Sequence, residues 1–298
     1  MAANDALEVN YLISSSGVDP DWDDFIWRHP NPHHEQSSLW GELRIPGGWI
    51  PWRLLVKRER EIVGGAQVLE RRVAGGIRVG YLARGPLLAA DVDAGGFWQQ
   101  LLGRVKDRGL LYLAVSLPYG AGDQLPLLRP LGVGPRPDAL PPSIWTRATL
   151  TFDLSQTEEQ LFAALSTRKR NEIRRARRAG LTIREGTRRD LPTFESMLAE
   201  LCNRRGVNRN IPAGDFVSRM WDAFHPQGLC HLLVAEKSGA PIGALLLVTT
   251  GQWSQAWRIG WKGEEAKAHP YQALLWESIC WSKRKGCRTY DMLGVDVR

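Results

Sequence analysis

Apolar positions fall in short blocks separated by turn residues, and one series of blocks occurs twice. "WIPWRLLVK" (49–57) and "EIVGGAQVLERRV" (61–73) read as strands joined by the polar turn Arg58 to Arg60, and "IRVGYLA" (77–83) as a third. In "AGGFWQQLLGRVKDRG" (94–109), Phe97, Leu101, Leu102 and Val105 recur at helical spacing, and a glycine follows a basic last turn. "LLYLAVSL" (110–117) reads as a buried strand. Further along, helices are expected at about 157–179, 190–206 and 213–224. A hairpin over 229–250 turns at Ser238–Gly239, and a strand over 252–260 follows. A helix from Pro270 to Lys285 carries the apolar stripe Tyr271, Leu274, Leu275 and Ile279, and 287–295 is a closing strand. Hairpin, strand, helix, strand therefore appears twice, which predicts an α/β (α+β) duplication with mixed sheets flanked by helices. A Pro- and Gly-rich stretch at 118–143 and a strand-like run at 145–154 place the boundary near residue 150, giving domains 1–150 and 151–298.

Charge breaks this symmetry. Residues 1–150 hold 16 basic and 16 acidic side chains, so the formal net charge of +7 lies wholly in the second half. Much of it sits in "STRKRNEIRRARRAG" (166–180). There Arg168, Lys169, Arg170, Arg174, Arg175, Arg177 and Arg178 face the single carboxylate of Glu172. On a helical wheel the segment has a packing side with Leu161, Phe162, Leu165, Ile173, Ala176 and Ala179, and a guanidinium side opposite. Arginine forks suit phosphate oxygens, so the band reads as a site for a polyanion, RNA or a pyrophosphate. A solvated helix face is the competing reading.

Other chemistry is sparse. Cys202, Cys230, Cys280 and Cys287 fit no metal spacing and read as buried thiols of a reducing cytosol. The six histidines form no ligand pattern, and no metal is expected. Neither a G-x-S-x-G turn nor a phosphate-binding glycine loop occurs. "MAANDALEVN" has no leader-like pattern and "ALLLV" (244–248) is far short of a membrane helix, so a cytoplasmic protein without stable membrane insertion is expected.

Four segments, in order, resemble one family, the FemABX peptidyltransferases: "EQSSLWGELR" (35–44), "IVGGAQVL" with "YLARGPLL" (62–88), "LSTRKRNEIRRARRAGLTI" (165–183), and "ALLWESICWSKRKGCRTYDMLGVD" (273–296). The resemblance implies two tandem GNAT-like (acetyltransferase-like) domains. It also implies transfer of an amino acid from aminoacyl-tRNA to an amine acceptor, with no cofactor beyond that co-substrate. By family position, Arg44, Arg84 and Arg209 would grip the acceptor and the basic helix would lie near tRNA. Trp257, Trp261 and Tyr271 would line the acceptor channel, and Asp291 and Asp296 would orient or deprotonate the amine. The acceptor is typically a peptidoglycan precursor. Glu42, where the family often has a base, and an end at Arg298 soon after the Tyr-Asp-x-x-Gly strand leave a secondary metabolite such as a peptidyl nucleoside antibiotic open. Two other functions stay open at this point: an acetyl-CoA-dependent N-acetyltransferase, and a non-catalytic RNA- or polysaccharide-binding module. Against the first, "GWKGEEAKAHPY" (260–271) lacks the Gly-x-Gly turn that would cradle a pyrophosphate.

Overall fold

Each half of the chain builds one mixed six-stranded sheet. The computed structural model describes residues 9–15, 17–134, 148–209, 211–212 and 214–294. It divides into two units, Met1–Ser143 and Ile144–Arg298.

The first unit runs β1 (Val9–Ser14), α1 (Pro20–Arg28), α2 (Ser38–Arg44), β2 (Ile50–Arg58), β3 (Glu61–Arg72), β4 (Arg78–Leu82), β5 (Leu87–Leu88), α3 (Ala94–Asp107), β6 (Leu110–Val115) and α4 (Leu125–Leu128). The sheet order is β1-β2-β3-β4-β6, with β5 on β3. Asp93 caps α3 through Gly95 N and Gly96 N at 2.9 and 3.0 Å. Phe97, Trp98, Leu101 and Val105 of that helix are buried against the sheet core of Trp52, Leu54, Val56, Ala66 and Val68.

The second unit runs β7 (Thr151–Asp153), α5 (Glu158–Ala164), α6 (Thr167–Arg178), β8 (Leu181–Glu185), α7 (Leu191–Arg205), α8 (Phe216–Phe224), β9 (Cys230–Lys237), β10 (Ala240–Thr250), β11 (Trp253–Trp261), α9 (Pro270–Arg284) and β12 (Thr289–Asp291). Its sheet order is β7-β12-β11-β10-β9-β8. Helices α6 and α9 cover the face that carries Leu233, Ala235, Leu245 and Leu247. Because strand side chains alternate, the opposite face is left for α7, which lies on β11 and β10. Burial on both faces explains the uninterrupted apolar run in β10.

The duplication is fuller than the apolar pattern shows. Strand, two helices, hairpin, strand, helix, parallel strand describes β1 to β6 without β5, and again β8 to β12. β1, α1 and β8 were not expected from the sequence. Two other expectations need correction. The helix over 157–179 is broken, because Leu165 is extended (φ −69°, ψ 149°) and Ser166 starts α6 afresh, its hydroxyl accepting from Lys169 N. Of the strands expected at 145–154 and 287–295, the paired part among the described residues is Thr151–Asp153 and Thr289–Asp291. All four cysteines are buried and unpaired.

Candidate functional site

In the second unit β11 and β12 run parallel for three pairs, Trp253 with Thr289, Ser254 with Tyr290 and Gln255 with Asp291. β11 then continues to Trp261, while beyond Asp291 the chain turns back toward the start of the unit, Met292 N donating to Leu150 O at 3.0 Å. The two strands thus part like a fork. Among the described residues, β11 from Ala256 onward has no strand partner on that side, leaving backbone N–H groups for other acceptors. A bulge lies on the same strand: Leu246 pairs with Arg258 and Leu247 with Ala256, so Trp257 is the extra residue. Among the described residues of the first unit the corresponding strands do not part. There β4 and β6 pair from Arg78 to Leu82, and Ser116 N to Leu82 O (2.9 Å) with Gly85 N to Ser116 O (3.1 Å) keep them closed.

Asp291 sits at the vertex of the fork and is fully buried. Its carboxylate accepts from the Thr149 hydroxyl, from Leu293 N at 2.8 Å and from Gln255 Nε2 at 3.4 Å. These bonds tie the end of β12 to β11 and to the residues before β7, a positioning task. Behind the vertex, Tyr290 and Ser278 hydroxyls meet at 2.5 Å and Ser282 donates to Ser254 at 2.7 Å, seating α9. Asp296 lies outside the described residues.

The arm of the fork is held by α7. A Cβ on Gly260 would stand 2.7 Å from Leu198 N, so only glycine allows the helix this close. The start of α7 is fixed by Arg184, which pairs with Asp190 at 2.7 Å and Glu236 at 2.7 Å. Arg184 holds the Asp190 carboxyl down at about 2. At the other end, Arg204 donates to Lys262 O at 2.6 Å and lies over the Trp261 ring, and Arg205 lies over Tyr271. Trp261 and Tyr271 are thereby gathered at the end of α7. Arg204 and Arg205 were not singled out from the sequence, because in a helical pattern they read only as a basic last turn. Trp257 is not exposed in a channel. It is 5% exposed and stacks on Phe216. Arg209 is exposed and lines a small pocket with Glu195 and Leu198; burial raises the Glu195 pKa and the Arg209 charge opposes that rise.

The loop after β11 is tied internally and to α7. Arg204 occupies the carbonyls of Trp261 and Lys262, while the amides of Ala268 and His269 are spent on Glu265 O and Ala266 O. Glu265 pairs with Lys237 at 2.5 Å.

The basic band on α6 is narrower than its composition suggests. Glu172 holds both Arg168 (3.0 Å) and Lys169 (2.8 Å). Arg170 donates to Ala163 O and Leu165 O at 2.6 and 2.7 Å, closing the end of α5. Arg174 lies over Phe162 and donates to Asn171 Oδ1. Arg175, Arg177 and Arg178 are exposed, and their side chains have no ion pair or hydrogen bond among the described residues. Ile173 and Ala176 face the core as expected, whereas Ala179 is exposed beyond the last turn.

In the first unit Arg44 is half-buried between Trp40 and Trp49, each ring centroid 5.8 Å from its guanidinium carbon. Burial lowers its pKa, and the nearby charge of Glu35 opposes this. Arg84 lies over Tyr119 and donates to its hydroxyl at 2.9 Å.

The chain was compared with known proteins. The family model described as an acetyltransferase (GNAT) domain matches residues 166–297. The lipid II:glycine glycyltransferase of Staphylococcus saprophyticus subsp. saprophyticus is 27% identical over 233 residues, covering 74% of this chain and 55% of that protein. The Staphylococcus aureus protein of the same name is 25% identical over 226 residues, covering 72% and 52%. The chain spans about half the length of the curated relatives it matches. A solved structure of FemX superposes with a TM-score of 0.78 at 19% identity, over 97% of this chain and 89% of that one. A tandem GNAT protein from the clavulanic acid biosynthesis pathway gives 0.50 at 13% identity, over 95% and 89%.

Proposed function

We propose that this FemABX-like chain of two GNAT-like domains moves an aminoacyl group from aminoacyl-tRNA to an amine on a peptidoglycan precursor. The observation that carries this reading is the fork in the second unit, where backbone N–H groups of β11 lie open beside a fixed vertex. An aminoacyl ester needs little further activation. The amine nitrogen attacks the ester carbonyl, the carbonyl oxygen gathers negative charge, and the ribose oxygen leaves with the proton that the amine gives up. Backbone donors along the open edge of β11 suit that oxyanion, and a rigid vertex at Asp291 holds them in place. The names of the relatives, lipid II:glycine glycyltransferase, support the acceptor class.

Arg44 and Arg84, each held on aromatic rings, are assigned to acceptor phosphates, and Arg175, Arg177 and Arg178 to the RNA backbone. Arg204, Trp261, Arg205 and Tyr271 border the acyl-transfer site. The acyl group is assigned to tRNA rather than to coenzyme A, since the loop after β11 spends the amides of Ala268 and His269 internally, lacks a Gly-x-Gly turn and carries Glu264 and Glu265. No resident cofactor is needed for this chemistry.

The test uses the full chain with bulk tRNA charged with labelled amino acids and a muropeptide precursor as acceptor. Label should move into an RNase-resistant product. Turnover of acetyl-CoA without such transfer would overturn the reading in favour of an N-acetyltransferase, and tRNA binding without transfer would overturn it in favour of a binding module.

A further inference from the structure

We infer that one end of the first-unit sheet is a peripheral membrane contact, a group of apolar tips in a basic collar that rests on a bilayer containing anionic lipid. The inference goes beyond the proposed reaction, since the contact needs neither tRNA nor transfer. Three turns meet at this end. β2 begins beside the end of β3, Ile50 pairing with Glu70. β3 and β4 join through Val73 to Ile77, where Val73 N donates to Ile77 O at 2.8 Å. Next to them α3 gives way to β6, Leu110 pairing with Arg78. Ile50, Val73, Ile77, Leu111 and Tyr112 are large and apolar, yet all are exposed here. Leu111 is the extreme case, 76% exposed. It falls between the pairs Arg78 with Leu110 and Val79 with Tyr112, so it is the extra residue of a bulge, left out of the ladder. A single surface leucine is ordinary, but a group of apolar side chains at adjoining turns marks an interaction surface.

The charge around these tips is basic. Glu70 is buried and taken by Arg78 (3.2 Å) and Arg108 (2.8 Å), and Asp107 faces Arg104 at 3.7 Å. Arg71, Arg72 and Lys106 are exposed, and their side chains have no ion pair or hydrogen bond among the described residues. The occupant must therefore take up apolar tips and carry negative charge around them. A bilayer with anionic headgroups does both. RNA would meet the cations but leave the tips in water. A second copy set face to face would bring Arg71, Arg72 and Lys106 against their own counterparts. A partner strand is discouraged by the bulge at Leu111 on the outer edge of β6. Arg44, assigned above to acceptor phosphates, stands at the same end. Its carbonyl accepts from Trp49 N at 3.4 Å, and its guanidinium shares the Trp49 ring with that of Arg71. An acceptor carried on a lipid would present its phosphates at this level.

The experiment sediments the full chain with phosphatidylcholine vesicles that contain or lack phosphatidylglycerol, at low and high salt. The chain should bind the anionic vesicles, bind phosphatidylcholine alone far less, and lose affinity as salt rises. Arg72→Gln with Lys106→Gln should weaken binding about twentyfold, at about fivefold per charge. Ile77→Ser with Leu111→Ser should weaken it about tenfold or more, with the melting curve unchanged because both side chains are exposed. Since the cations of α6 would also attract anionic lipid, Arg175, Arg177 and Arg178 are replaced together by alanine, and that variant should sediment like the parent. A polarity-sensitive dye is then attached at position 77 through Ile77→Cys, the native thiols being buried, and its emission should move to the blue on vesicles. Binding that survives Ile77→Ser with Leu111→Ser, an unshifted dye, or binding lost in the α6 variant overturns the inference. So does a dimer that Leu111→Ser turns into monomer, which would give the patch to a second copy. Loss of tRNA binding in Arg72→Gln with Lys106→Gln, vesicle binding being kept, would give it to RNA and overturn the inference too. Vesicle binding as expected by a chain that transfers no aminoacyl group would support the contact and strike the proposed reaction alone.

Discussion

Replacing Gly260 with alanine should force α7 away from β11. The added Cβ would lie 2.7 Å from Leu198 N, 2.9 Å from Met197 Cβ and 3.0 Å from Phe194 O. All three atoms belong to α7, and two are backbone, so no side-chain rotation relieves the clash. The helix must move by several tenths of an ångström, loosening the buried side chains of Phe194, Met197, Leu198 and Leu201. Overpacking of this kind costs about 1–3 kcal/mol, and a backbone obstacle puts this site at the upper end. In a unit of this size each kcal/mol moves the midpoint by about 2–4 °C, so Tm should fall by roughly 5–10 °C. Circular dichroism during heating measures it. Gly243→Ala is the control, since its nearest obstacle is the flexible Leu274 Cδ1 at 3.1 Å, and it should cost under about 1 kcal/mol. A Tm for Gly260→Ala within about 2 °C of the parent, or equal costs for both variants, would refute the account of how α7 is seated.

Three more outcomes are expected. Removing Arg175, Arg177 and Arg178 together by alanine substitution should weaken tRNA binding and flatten the plot of log affinity against log salt by roughly two to three in slope; Arg170→Ala should leave that slope alone and cost about 1 kcal/mol in urea unfolding, because α5 loses its closing donor. Asp190 titrates at about 2 when folded, below its unfolded value of about 3.9. Its contribution is therefore complete above pH 4 and lost as pH falls through 2, worth roughly 1 kcal/mol after screening, and acid titration of Asp190→Asn should lack that component. Asp291→Asn should lower stability by about 1–3 kcal/mol, since the amide group sets a donor against Leu293 N or Gln255 Nε2. If Asp291 positions the fork, the pH profile of transfer stays where it was; loss of its acidic, ascending limb would make it a proton acceptor instead.

The residues that build a core with regular apolar spacing were legible in the sequence. Phe97, Leu101 and Val105 marked α3, and the apolar runs on either side of Ser238–Gly239 marked the hairpin of β9 and β10, though not the cover on both faces of β10. β1 and β8 were not legible, since they are edge strands with weak alternation, and "LTIRE" reads equally as an exit from the basic helix. Most of α9 is buried, but Ser278 and Ser282 interrupt its apolar signal because they bond to Tyr290 and Ser254 across the packed face. At the candidate site, sequence marked the charges on α6 but not their partners. Glu172 serves two of them and Arg170 closes a helix, facts set by the break at Leu165 that no composition count contains. The Gly260 contact and the parting of β11 from β12 depend on residues far apart in sequence, which spacing cannot reveal.

The pairing of Thr149 with Asp291 joins positions 142 residues apart. A ribosome adding about 5–20 residues per second would need roughly 7–28 s between making the first and the second. The hairpin of β9 and β10 can form locally during that interval, on a microsecond scale, but β7 has no neighbour until β12 emerges. The vertex of the fork is thus the last part of the second unit to be assembled on a growing chain. A nascent chain halted before Tyr290 would hold a formed hairpin and no fork, so the proposed transfer could not begin during synthesis.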